Sequence, residues 1–168
     1  GDTPRVDVRW ALEVAPNPSV LRLHVTTELT SRTIVTCPPA RAPEPLDRLV
    51  DLEGVRSVDL HRYRARLNLE PGVRRDRVAV SASEELTSVW GEPMSLPPEA
   101  PPRAFEVDRI GPRRVAESRE MAGDDQLLTL LFTLDGVAEA VAGRGLLLLR
   151  LARLFGWEEV EPSVVALL

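Results

Sequence analysis

The sequence predicts an α+β fold of two tandem two-layer modules, each a small, mainly antiparallel sheet with two helices packed on one face. Two observations lead to this prediction. The chain repeats itself at an offset of 82 residues, so that 46–86 align with 128–168 without a gap. A segment rich in proline separates the copies and cannot form regular structure. We therefore predict a first module over 1–90, a linker over 91–102 and a second, abbreviated module over 103–168.

The aligned part of each copy begins with a short amphipathic helix. Leucines recur every third residue and are followed by a glycine in both copies, as Leu46, Leu49, Leu52 and Gly54 and as Leu128, Leu131, Leu134 and Gly136. Glycine can adopt the left-handed conformation that ends a helix. The spacing therefore predicts a helix with a glycine stop in each module.

A hairpin and a second helix complete each copy. Apolar residues alternate over 55–60 and 65–69 around a turn near Arg62, and a similar pair of strands flanks Gly143-Arg144-Gly145. The closing helices are predicted over 75–89 and 158–168, each with an acidic residue in its first turn. The segments before the first helices are less alike: 6–14, 20–26 and 33–37 read as strands in the first copy, and 105–110 and 115–121 in the second.

Composition limits the classes of function. The net charge is −5, which argues against nucleic acid as the main partner. The longest apolar run, 145–149, is too short to span a bilayer, and no secretory leader is visible, so we expect no membrane association and a cytoplasmic location. No nucleophile, acid/base pair or phosphate-binding loop forms a recognisable motif, so we expect no enzyme; an enzyme would need a pocket that holds a titratable pair with shifted pKa.

The residues resemble a known family. The first copy has Ala-Pro-Asn-Pro-Ser at 15–19 before a strand and Leu-Glu-Gly-Val-Arg-Ser-Val at 52–58 after the helix, and the second has Gly-Trp-Glu-Glu-Val-Glu-Pro at 156–162. These elements resemble the N-terminal domain of Nfu/NifU-type iron–sulfur scaffold proteins, including its Trp-anchored entry to the last helix. The first copy departs from the pattern with Arg75 at the tryptophan position, and the second lacks the Pro-Asn-Pro element.

The resemblance implies an accessory role without a cluster. In that family a separate C-terminal domain carries the Cys-x-x-Cys pair that binds the iron–sulfur cluster. This chain has the single cysteine Cys37, whereas a cluster normally needs four thiolates. We therefore expect no cofactor, and a non-catalytic module that binds another protein; a homo-oligomer stays open.

An arginine-rich strand is the most distinctive candidate binding face. Arg62, Arg64 and Arg66 alternate with Tyr63 and apolar residues, which predicts that the three arginines share one exposed strand face. Such a face could bind an acidic partner protein. The alternative function is binding of an anionic small ligand or nucleic acid by the same arginines. A solvated face without a ligand also explains the pattern.

Two further candidates come from single features of the sequence. Leu146 and Leu148 break the alternation of their strand, which predicts a second partner for them, either the first module or another chain. Cys37 lies before two prolines, where it is either a reactive thiol or a small core residue. Its spacing to His24 and His61 matches no zinc motif, so no metal site is predicted.

Overall fold

A computed structural model describes residues 7–168 and confirms the α+β fold. The first module contains two strands, a helical pair and a closing hairpin and helix, in the order β1 (Trp10–Val14), β2 (Val20–Val25), a 3-10 turn (Pro39–Arg41), α1 (Leu46–Val50), β3 (Val55–Leu60), β4 (Arg64–Leu69) and α2 (Arg75–Trp90). The second contains β5 (Arg103–Glu106), β6 (Arg114–Ala116), α3 (Arg119–Ala122), α4 (Gln126–Leu131), β7 (Val137–Ala142), β8 (Leu146–Leu151) and α5 (Trp157–Leu167).

Each module is built on a four-stranded antiparallel sheet. The strand order is β1-β2-β4-β3 in the first sheet and β5-β8-β7-β6 in the second. Each sheet covers its own hydrophobic core, one around Trp10 and Leu67 and the other around Phe132 and Leu149. Tyr63 belongs to the first module but is buried in the core of the second. No helix among residues 7–168 is both long and apolar enough to cross a membrane.

The offset of 82 residues relates the two modules in space. β2 pairs with β4 through Leu21 and Leu67, and β5 pairs with β8 through the equivalent residues Arg103 and Leu149. The register shift between Val55 and Ser57 in β3 recurs between Val137 and Glu139 in β7. The pairing of the strands and the register shift in the hairpin thus both recur at the offset of 82 residues.

The glycine stops repeat in the same detail. Gly54 and Gly136 have φ angles of +90° and +97°, in the region that favours glycine. A Cβ on Gly54 would lie 2.9 Å from Val73, and one on Gly136 would lie 2.8 Å from Phe155. Val73 and Phe155 are themselves related by the offset of 82 residues.

The two copies have different residues, Arg75 and Trp157, at the start of their last helix. Arg75 and Trp157 occupy equivalent positions in the first turn of the last helices. Arg75 donates hydrogen bonds to the carbonyls of Ala15 and Asn17 at 2.6 and 2.9 Å, and the Trp157 indole donates to the carbonyl of Pro101 at 2.7 Å. In both modules a side chain at the start of the last helix thus donates to the segment that precedes β2 or β5.

Several element boundaries differ from the prediction. The predicted strand 33–37 is reduced to one bridge between Ile34 and Leu60. The predicted strand 115–121 ends at Ala116, because Ser118 caps α3 by accepting a hydrogen bond from the Met121 amide at 3.2 Å. β5 begins at Arg103, two residues earlier than predicted, and β1 begins at Trp10; the start of its predicted strand at residue 6 lies outside the described residues.

Candidate functional site

The turn between β3 and β4 inserts into the second module. The Arg62 side chain is buried, with a relative exposure of 2%. Its guanidinium donates to the carbonyls that follow α4, at 2.7 Å to Phe132, 3.0 Å to Leu134 and 2.7 Å to Val137. Carbonyls at a helix end lack intrahelical donors, and the planar guanidinium can satisfy several at once. Its Nε donates to Glu28 at 2.7 Å.

Tyr63 completes the contact between the modules. Its hydroxyl accepts a hydrogen bond from the Gly136 amide at 3.0 Å, and its ring lies 5.2 Å from the ring of Phe155. Burial raises the pKa of the Tyr63 hydroxyl, although the Gly136 hydrogen bond opposes that change. The residue therefore stays neutral in the interface.

The prediction that Arg62 lies on an exposed face is wrong, and Tyr63, the other candidate binding residue here, is buried as well. Both residues belong to the turn that precedes β4, which begins at Arg64, so strand alternation does not govern them. Their burial depends on a contact with residues about 70 positions later in the chain. Arg62 and Tyr63 join the modules, and the Nε, Nη1 and Nη2 atoms of Arg62 already donate hydrogen bonds there.

The remaining arginines of the predicted face are exposed. Arg64 and Arg66 lie on the outer face of the first sheet, away from the core. On β2, His24 pairs with Arg64 and Arg22 pairs with Arg66. Neither Arg64 nor Arg66 has a carboxylate within 4.0 Å among residues 7–168. Two guanidinium groups on this face are thus free to bind an anion.

A cleft of about 300 Å³ lies between this face and the second module. Its lining includes His24, His61 and Arg64 from the first module and Glu117 and Arg153 from the second. Arg66 does not line the cleft. The chain has two histidines, and both reach this cleft.

Glu13 and His24 form an ion network at one wall of the cleft. His24 Nε2 lies 2.9 Å from Glu13 Oε1, and Arg153 Nη1 lies 3.2 Å from Glu13 Oε2. Burial lowers the pKa of His24 despite the hydrogen bond to Glu13. Burial opposes ionisation of Glu13, but the hydrogen bond with His24 and the charge of Arg153 outweigh it and lower its pKa. Near pH 7 a neutral imidazole thus donates Nε2–H to a carboxylate.

We expect the free energy of unfolding to fall as the pH is lowered from about 6.5, the ordinary pKa of histidine. Burial lowers the pKa of both His24 and His61, so the unfolded chain binds protons that the folded chain does not. The slope is at most about 1.4 kcal/mol per pH unit for each histidine. Urea unfolding at about pH 7.5 and 5.5 measures it. The double variant His24→Gln/His61→Gln should lose this slope, and an unchanged slope would contradict the assignment.

The structure places Cys37 in the first core. The side chain is buried, and its thiol lies 3.4 Å from the Pro38 carbonyl. Burial raises the pKa of the Cys37 thiol, which disfavours the reactive thiolate. The structure thus favours the core residue over the reactive thiol. No group of three or more potential metal ligands occurs in the described part of the chain.

Leu146 and Leu148 lie on the outer face of the second sheet. Their relative exposures are 51% and 38%, so the first module does not cover them. Leu148 forms an apolar row across the sheet with its cross-strand partners and their neighbour, namely Ala104, Val141 and Val115. These leucines are the repeat equivalents of Arg64 and Arg66. One position in the module is therefore cationic in the first copy and apolar in the second.

Comparison with known proteins finds no relative of this chain. No family matches. The chain corresponds to no protein-family model, no curated protein and no solved structure. The resemblance to the N-terminal domain of Nfu-type scaffold proteins therefore stays a prediction.

Most residues that line the cleft were not singled out as binding residues by sequence. Glu13, Arg22, His24 and Arg153 come from both modules. Alternation in β2 does predict that Arg22 and His24 share a face, since they are two residues apart. The pairing of β2 with β4, which places them beside Arg64 and Arg66, had no signal in the sequence.

Proposed function

We propose that the chain is a non-catalytic binding protein, related to the N-terminal modules of iron–sulfur scaffold proteins, that binds an acidic segment of a partner protein. The observation that carries this proposal is the unpaired state of Arg64 and Arg66 among residues 7–168. They lie side by side on an exposed strand face, with Arg22 across from Arg66. Carboxylates are the natural partners of such guanidinium groups, because each can accept two parallel hydrogen bonds.

The flanking charges favour a protein over nucleic acid. Glu13 and Asp59 lie on the same row as Arg22 and Arg66, one at each end. These carboxylates would repel a continuous phosphate backbone, whereas separate acidic side chains can pair with the arginines between them. The net charge of −5 also disfavours nucleic acid.

The chemistry of the cleft supports a non-catalytic role. Glu13 and His24 are a titratable pair with shifted pKa, which enzymes often use. Both Glu13 carboxylate oxygens are already engaged, one by His24 and the other by Arg153. The cleft lining in the described part of the chain has no serine, threonine or cysteine that His24 could activate.

An octaglutamate peptide with a fluorescent label provides a direct probe of this face. We expect the wild-type chain to bind it and the double variant Arg64→Glu/Arg66→Glu to lose at least about tenfold in affinity, since removing two charge pairs costs about 1.4 kcal/mol or more. Fluorescence anisotropy at low salt measures both constants.

The matched control for this experiment is Arg41→Glu/Arg77→Glu. It changes the net charge equally, and both residues are exposed, one on the 3-10 turn and one on α2. The control should bind the peptide with nearly wild-type affinity. Equal losses in the two double variants would show that only net charge matters and would overturn the proposal.

A small anion is the second candidate ligand, because Arg22, Arg64 and Arg153 line the cleft. Arg64 lines the cleft and Arg66 does not, so two single variants separate the candidates. With inorganic phosphate as the probe in calorimetry, Arg64→Ala should weaken a ligand held in the cleft and Arg66→Ala should not. An acidic peptide on the sheet face should be weakened by both substitutions.

A further inference from the structure

The contact between the two modules joins two different surfaces of the repeated unit. In each module, β3 or β7 runs from the end of a helix to a hairpin turn, at opposite ends of the module. We call these the helix end, residues 50–55 or 132–137, and the turn end, residues 61–63 or 143–145. The turn end of the first module binds the helix end of the second through Arg62 and Tyr63. The modules are thus stacked head to tail.

This contact uses one of the two turn ends and one of the two helix ends, so one of each is left without a partner module. At the turn end of the second module, Arg144 is the equivalent of Arg62. Arg144 is exposed and has no side-chain hydrogen bond or ion pair among residues 7–168. Arg62, by contrast, is fully engaged with the neighbouring module. The stack therefore has an open turn end.

The helix end of the first module is open as well. Val50 and Gly54 are partly exposed, whereas the equivalent residues Phe132 and Gly136 are buried under the turn of the first module. The Gly136 amide donates to Tyr63, but the Gly54 amide has no acceptor within the described residues. The Gly54 amide is therefore available to a turn from another chain.

The charges at the two open ends are complementary. Asp51 and Glu53 are exposed at the helix end of the first module. Arg144 is exposed at the turn end of the second, together with Arg113, which precedes the β6 residue paired with Ala142 beside the turn. Opposite charges on two such surfaces favour their association.

We infer that copies of this chain associate head to tail, with Arg144 of one copy bound at the helix end of the first module of another. The guanidinium would donate to the carbonyls of Val50, Leu52 and Val55, which are the repeat equivalents of the three carbonyls that Arg62 binds. A contact between different surfaces of identical chains is heterologous, so it continues into a ring or an open chain.

The intermolecular contact is weaker than the one within the chain. Gly145 replaces Tyr63 at the open turn, so neither a ring nor a hydroxyl acceptor reaches the Gly54 amide. The association is thus reversible and appears at high protein concentration. It involves neither Arg64 nor Arg66 and stands independently of the proposed function.

Sedimentation velocity over a wide concentration range tests this inference. Wild-type chains should show an average mass that rises with concentration, and Arg144→Glu should stay monomeric. Glu53→Arg, which reverses an exposed charge at the helix end of the first module, should stay monomeric as well. Arg150→Glu, an equal charge change on the outer face of the second sheet, should behave as wild type.

A mixing experiment distinguishes head-to-tail association from other geometries. Arg144→Ala removes the guanidinium of the turn end, and Glu53→Arg reverses a charge of the helix end. Each variant alone should be monomeric, and the mixture should stop at one chain of each. Association that survives Arg144→Glu would place the contact elsewhere, for example on the apolar row of Leu148, and would overturn the inference. Wild-type chains that stay monomeric at every concentration would also overturn it.

Discussion

Replacing Arg62 by leucine is expected to lower the free energy of unfolding by about 3–5 kcal/mol, the cost of removing one partner from a buried, charged hydrogen-bond network. The substitution would deprive the carbonyls of Phe132, Leu134 and Val137 of the guanidinium that donates to them. Glu28 would keep its hydrogen bonds to Arg119, so most of the loss falls on the backbone of the second module. Chemical unfolding followed by tryptophan fluorescence measures the change.

The repeat provides a matched control for this experiment. Arg144→Leu makes the same substitution at the equivalent position, where the side chain is exposed. It should change the free energy of unfolding by no more than about 0.5 kcal/mol. Similar losses in both variants would mean that the contacts of Arg62 do not stabilise the chain.

Replacing Gly136 by alanine is expected to destabilise the chain by about 2–5 kcal/mol. The backbone at Gly136 has a positive φ, which costs a residue with a Cβ about 1–2 kcal/mol. The added carbon would also lie 2.8 Å from Phe155 and 3.0 Å from Val160, and crowding a packed core costs about 1–3 kcal/mol more. Thermal or chemical unfolding measures the total.

Gly72 separates the two contributions. It also has a positive φ, but a Cβ there would have no heavy atom within 4 Å. Gly72→Ala should therefore cost only the backbone part, about 1–2 kcal/mol. If the two glycine variants lose equal stability, crowding against Phe155 contributes nothing to the cost of Gly136→Ala.

The sequence predicts elements well where a local pattern determines them. The glycine turn and the apolar run after it located β8 at 146–151, and the leucine spacing with its glycine stop located α1 and α4. β5 was placed two residues too late, because Arg103 and Ala104 lack an apolar signal and follow the prolines of the linker. Their pairing with Leu148 and Leu149 makes them a strand.

The candidate site was predicted only where its residues lie within strands. Arg64 and Arg66 are exposed as alternation predicts. Arg62 is buried, because a turn has no alternation and its docking depends on the tertiary contact with the residues that follow α4. The same reason explains why no pattern pointed to Arg153, whose hydrogen bond joins residues 140 positions apart.

The two copies of the module differ at two outward-facing strand positions. Arg64 and Arg66 in the first copy correspond to Leu146 and Leu148 in the second. Both pairs are exposed on an outer sheet face, so packing of their own cores does not determine them. The charged face suits an acidic partner, and the apolar face suits a different contact.

Nuclear magnetic resonance titration of the isotope-labelled chain with the octaglutamate peptide tests the binding face most directly. The proposal predicts that amide shifts cluster on the outer face of the first sheet, around Arg22, Arg64 and Arg66 on β2 and β4. Shifts confined to the second sheet near Leu146 and Leu148, or no shifts at low salt, would contradict it.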